Sequence, residues 1–176
     1  CTGIGLIMIG CSTNAITGRK QLSFFPESSL QQEAVSQYRG FLNEHKVMNN
    51  ADAAMVKRVG NRVASAIRSY YTKQGKGNVL NGYNWEFNLV DDKQVNAWCM
   101  PGGKVVVYSG LLPVTKNEAA LAIVLGHEIT HAIAGHSNER MSQLALAQGL
   151  GTVGSAFTQN RAQANAIFNN VYAPAA

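Results

Sequence analysis

Apolar positions along the chain change their spacing at recognisable points, and the spacing predicts the elements. Met55, Val59, Val63 and Ile67 recur at every fourth position, with Lys57, Arg58, Arg62 and Arg68 mostly off that stripe. This predicts a helix from near Asn50 to just before Gly75-Lys76-Gly77. Upstream, Pro26-Glu27-Ser28-Ser29 reads as a helix start, with Ser29 as N-cap, Gln32 three residues on, and an end near Glu44. Tyr83 to Val90 alternates, placing Trp85, Phe87 and Leu89 on one face of a strand. Gln94 to Met100 and Lys104 to Ser109 are two further strand-like runs around the turn residues Pro101-Gly102-Gly103, and they are expected to pair as a hairpin. Thr115 and Glu118 have capping-box spacing ahead of AALAIVLGHEITHAIA, which is apolar nearly all round and predicts a buried helix. A further helix from Glu139 to Phe157 is interrupted by Gly149, Gly151 and Gly154, and residues 160–176 carry weak signals. The pattern describes an α+β fold, mainly helical, with a small sheet and a β-hairpin beside a buried helix.

The chain has 176 residues, 46% apolar and 14% charged, enough for one ordinary core and too apolar for disorder. No apolar run reaches about 18 residues, so the sequence holds no complete membrane-spanning helix. The net charge is +5, and Lys57, Arg58, Arg62, Arg68, Lys73 and Lys76 lie in a stretch without an acid between Asp52 and Glu86. No DNA or RNA motif accompanies them, so they read as a solvated helix face and no nucleic-acid partner is expected.

The first residue is Cys1, not methionine, and residues 1–10 are apolar and uncharged, like the tail of a signal peptide's apolar segment. Met8-Ile9-Gly10-Cys11 resembles a bacterial lipobox, with Met8 where leucine is usual. On that reading Cys11 carries lipid, residues 11–25 are a polar, turn-rich tether, and residues 26–176 form the folded domain. Cys99 is then the one cysteine of the domain and reads as a small core residue.

The chemistry lies in His127-Glu128-Ile129-Thr130-His131, an H-E-x-x-H string. Residues four apart share a helix face, so two imidazoles can each aim a ring nitrogen at one zinc ion about 2.0–2.1 Å away. Glu128 is then free to act as general base on the water that zinc activates, and to pass the proton to the leaving amine. His136 falls one place short of the third histidine of a metzincin, where Ser137 stands, and Ala134 occupies that motif's glycine position. His136 therefore reads as a group behind a ligand or at a helix end, not as a ligand.

Several strings together resemble the HtpX/CAAX-prenyl-protease-like family of gluzincin zinc metallopeptidases, and within it the small bacterial lipoprotein members. They are Asn96 to Lys104, Val107 to Leu112, Asn117 to Ala122 leading into Gly126-His127-Glu128-Ile129-Thr130-His131, and Gly135 to Arg140. Cys11 to Asn14 and Thr17 to Leu22 also resemble these lipoproteins. The resemblance implies a gluzincin-type fold with one zinc ion per chain on His127 and His131, and catalysis by Glu128. It implies a strand near Asn96 to Met100 lining the cleft, with Asn96, Ala97 and Trp98 binding an extended substrate through main-chain hydrogen bonds. The implied substrates are unfolded or misassembled envelope proteins. The implied location is the bacterial cell envelope, lipid-anchored and facing the periplasm, with Ser12 compatible with the outer membrane.

A catalytic zinc ion usually has three protein ligands. The resemblance implies a glutamate on a later helix as the third, yet Glu139 is the one acidic residue after Glu128. Glu139 lies eight residues past His131, about 12 Å along a continuous helix, and reads as an ion-pair partner of Arg140 or of an arginine elsewhere. Two readings remain: a catalytic domain cut before its last part, and a naturally short, weakly metallated member. The first is preferred because the chain stops soon after the glycine-broken helix. A non-catalytic or chaperone-like binding module is the alternative to a peptidase.

Overall fold

The computed structural model describes residues 11–147. The expectations for residues 1–10, for the helix beyond Ala147 and for residues 160–176 lie outside the described residues. Two strands, β1 (Cys11–Thr13) and β2 (Lys20–Leu22), form an antiparallel pair with Ser12 opposite Gln21. Helices α1 (Glu27–Glu44) and α2 (Ala51–Lys73) follow. Strands β3 (Glu86–Val90), β4 (Ala97–Met100) and β5 (Lys104–Tyr108) make a second sheet. A short helix α3 (Leu112–Thr115) leads to α4 (Glu118–Ile133) and α5 (His136–Ala147).

The three-stranded sheet has the order β3-β5-β4. The expected hairpin is present: β4 and β5 are antiparallel, with Trp98 opposite Val106. β3 lies parallel to β5 on the other side. The KVVVY run is buried throughout because β5 is central and both of its faces are covered. Phe87, Leu89, Ala97, Cys99, Val105 and Val107 face α2 and α4, while Trp98, Met100, Val106 and Tyr108 face α1 and α5. The α+β expectation holds, with helices on both faces of a small sheet.

Helix α2 shows how size sets the packing line. The predicted stripe is present, but Met55, Val63 and Ile67 are half-buried flanks. The deepest positions include Ala53, Val56, Val59, Gly60 and Ala64. A Cβ at Gly60 would lie only 2.3–2.6 Å from carbons of the Phe87 ring, so the missing side chain is what lets α2 approach β3.

Three local expectations are corrected. Helix α1 begins at Glu27, because Pro26 fixes an extended approach and its carbonyl accepts from Ser29 N and Leu30 N; Ser29 lies inside the first turn. Helix α4 is capped by Asn117, whose side chain accepts from Ala120 N, while the Thr115 hydroxyl donates to Leu112 O and closes α3. Residues 11–25 are folded, not a free tether. Asn14 accepts from Ile16 N and Thr17 N, Gly18 takes a positive φ of 67°, and the chain returns along β2 against α5.

The buried-helix expectation for α4 is also corrected. Leu121, Leu125, Ile129 and Ala132 are buried against the sheet, but Ile123 is 75% exposed, and His127, Thr130 and His131 lie on the exposed side. A helix near the edge of a three-stranded sheet has one face to bury, and the apolar residues beyond that stripe are surplus to it. Among the described residues, no helix is long and apolar enough to cross a membrane.

Replacing the Asn117 cap with alanine is expected to cost about 1 kcal/mol in urea unfolding, with Asn117→Asp retaining most of the stability. The buried Tyr38 hydroxyl accepts from Asn88 Nδ2 at 2.8 Å and donates to Val105 O at 3.4 Å, and burial pushes its pKa up to about 12. A folded-state pKa above the unfolded value of about 10 leaves stability intact below pH 10, and stability falls as pH rises toward 12. Urea midpoints at pH 9 and pH 11 are expected to show that loss, and Tyr38→Phe is expected to reduce it.

Candidate metal centre

The α4 periodicity that buries Leu125 and Ile129 turns His127 and His131 to the opposite side. Their Nε2 atoms are 2.9 Å apart and their rings meet edge to face at 87°. Two nitrogens bound to one tetrahedral zinc ion would be about 3.3 Å apart, so this pair needs only a small opening to take the ion. Partial desolvation, then the neighbouring His127, His136 and Arg140, hold His131 below the usual imidazole range and favour the neutral ring that a metal needs. The residues present therefore fit half of a zinc site. They fit because their donors converge, and burial inside an apolar helix plays no part.

His131 uses both ring nitrogens. Its Nδ1 lies 2.6 Å from Nδ1 of His136, the first residue of α5. With Nε2 of His131 reserved for a metal, its Nδ1–H donates to His136, which fixes the tautomer and the ring plane. The same contact places His136 at the ring nitrogen of His131 opposite to the one that meets His127.

Glu128 is half-buried, and burial raises its pKa above the ordinary carboxylate range against an opposing effect of His127. Its charge reaches Cys99 of β4, adding to the burial that pushes that thiol up. On the helix Glu128 lies on the flank between the exposed histidine face and the buried Leu125–Ile129 stripe. A carboxyl group there can take a proton from a water beside the histidines and return it.

Of the three residues expected on the substrate strand, Trp98 is occupied elsewhere. Its indole donates to Tyr108 OH at 3.3 Å and packs edge-on against Phe41 and Tyr38. The Ala97 side chain enters the opposite core. Asn96 O accepts from Tyr108 N, so antiparallel alternation directs Asn96 and Trp98 main-chain groups toward β5 and those of Ala97 and Cys99 away from it. Among the described residues, β4 has no strand on its other side. Main-chain recognition along β4 would therefore use Ala97 and Cys99; Cys99 was missed because its burial reads as a core role.

Glu139 is engaged by Arg19, with Nη1 donating to Oε1 at 2.8 Å and Nη2 to Oε2. This identifies the arginine elsewhere and engages both carboxylate oxygens in an ion pair. Among the described residues, no group of three or more His, Cys, Asp or Glu could hold a metal ion. Cys11 opens β1, across from Leu22.

A helix carrying H-E-x-x-H over a small sheet, with its two histidines converging on the exposed side, defines a metallopeptidase-like domain. Residues 50–176 match Peptidase family M48, and the chain belongs to that family. Metalloprotease YcaL of Escherichia coli (strain K12) is 35% identical over 114 residues, 57% of this chain and 44% of that protein. The Beta-barrel assembly-enhancing protease of Yersinia pestis is 40% identical over 74 residues, 40% of this chain and 15% of that protein. Mitochondrial metalloendopeptidase OMA1 of Arabidopsis thaliana is 45% identical over 64 residues, 36% of this chain and 13% of that protein. The chain spans less than half the length of each of these relatives.

Proposed function

We propose that the chain carries the catalytic core of a zinc-dependent endopeptidase of the bacterial cell envelope, anchored through lipid on Cys11, that hydrolyses unfolded or misassembled proteins. The observation that carries this reading is the convergence of His127 and His131, Nε2 to Nε2 at 2.9 Å, with Glu128 between them in the chain. Zinc, when bound there, supplies a Lewis acid that polarises the scissile carbonyl and makes water easier to deprotonate. Glu128 takes the proton of the attacking water and delivers it to the leaving nitrogen. The raised pKa of its carboxyl group suits a group that must both accept and return a proton.

Substrate selection follows from β4. An extended segment paired with the outward main-chain groups of Ala97 and Cys99 is read by its backbone, which favours unfolded chains over particular side chains. The name of the Yersinia relative ties that protein to β-barrel assembly, and supports an envelope substrate here.

One observation favours the alternative of a chaperone-like module: a third metal donor is not found among the described residues. Binding without cleavage of an unfolded outer-membrane protein by the zinc-free chain would support that alternative.

Zinc content and cleavage of unfolded casein test the peptidase reading together. Glu128→Gln is expected to keep the metal and lower turnover at least about 100-fold. His131→Ala is expected to lose the metal. Casein cleavage by Glu128→Gln equal to that of an active unmutated form would overturn the assignment.

A further inference from the structure

Helix α4 ends in an elbow that the N-terminal hairpin holds from outside. Gly135, at φ +64°, reverses the chain between α4 and α5, and a helix end leaves carbonyls without internal partners. Asn14 Nδ2 donates to Ala134 O at 2.5 Å, and Gln21 Nε2 reaches the same oxygen at 3.3 Å. On the first turn of α5, Arg19 grips Glu139 with two parallel hydrogen bonds. Asn138 is buried and donates to Ser23 Oγ at 3.1 Å and to Phe25 O at 2.9 Å. Phe24 N donates to Ser142 Oγ at 3.0 Å. Residues 14–25 are thereby fastened to residues 134–142.

We infer that this hairpin is part of the metal-site machinery: Arg19, Asn14 and Gln21 are positioning residues that fix the elbow and so hold His136 against His131. The inference rests on the metal reading of the site. Its geometric basis is a short path: His136 sits between Gly135 and Asn138, both within the fastened segment, and its Nδ1 lies 2.6 Å from His131 Nδ1. Arg19 is 54% exposed and Glu139 13%, so the pair is a weak source of stability. A two-point guanidinium–carboxylate fork nonetheless fixes orientation, which a single lysine contact would not. A recess of about 570 Å³ beside the elbow is lined by Asn14, Gln21 and Asn138, whose amides are already engaged in this fastening.

The test measures zinc affinity of the full chain by competition with a fluorescent zinc chelator, and amide hydrogen exchange over residues 131–139. Arg19→Glu and Glu139→Arg are each expected to weaken zinc about tenfold and to speed exchange at the elbow. The double swap is expected to restore both readouts. In a His136→Ala background, Arg19→Glu is expected to add nothing, because it acts through that ring. Lys46→Glu, which breaks the exposed Lys46–Asp91 pair elsewhere, is expected to leave affinity unchanged. If Arg19→Glu does not fold, Arg19→Gln is read in the same assay, with a smaller loss in the same direction. Unchanged affinity in the single variants, or a loss that the double swap does not recover, overturns the inference. Failure of the unmutated chain to take up zinc overturns the metal reading itself and this inference with it.

Discussion

The orientation of α4 on the sheet governs the site. Leu121, Leu125 and Ile129 are fully buried, each contributing about 1.5–3 kcal/mol relative to exposure. That total outweighs any preference of two imidazoles, so the rotation of the helix is settled by its apolar stripe. His127 and His131 are carried to the opposite side as a consequence of 3.6 residues per turn. Their convergence is therefore set by packing before any ion is bound, and Glu128, one residue on, is carried to the flank of the same face.

The layers on either side of the sheet divide the work. The α2–α4 layer positions the histidines and the glutamate, and small residues on α2 let it pack closely. On the other face Tyr38 of α1 and Met141 of α5 pack in one cluster with Trp98 and Tyr108 of the sheet. Trp98 of β4 points into that second cluster, so a core aromatic and an outer strand share one segment. The strand can present backbone because its side chains are fully committed to two cores.

What the sequence disclosed follows from the reach of each signal. The α2 stripe, the Pro101-Gly102-Gly103 turn and the H-E-x-x-H spacing are local, and each has its expected counterpart. The cap of α4 was misassigned because Thr115 and Glu118 mimic a capping box, while Asn117 offers a better-placed acceptor. The exposure of the histidine face was illegible because an apolar helix reads as buried until the size of its sheet is known. Arg19 was illegible as the partner of Glu139, since 120 residues separate them. A signal was present in Asn14 and Gly18, turn residues between two short strands, but a polar, turn-rich stretch after a lipobox suggests a tether.

That separation has a consequence for how the molecule is made. Synthesis delivers the β1–β2 ribbon well ahead of its anchoring partners on α5, which follow some 120 residues later. Closing so long a loop is entropically costly until the intervening sheet has brought the two ends near each other. The ribbon therefore waits and docks late, and the elbow beside the histidines gains its final shape only when residues 14–25 come back to it.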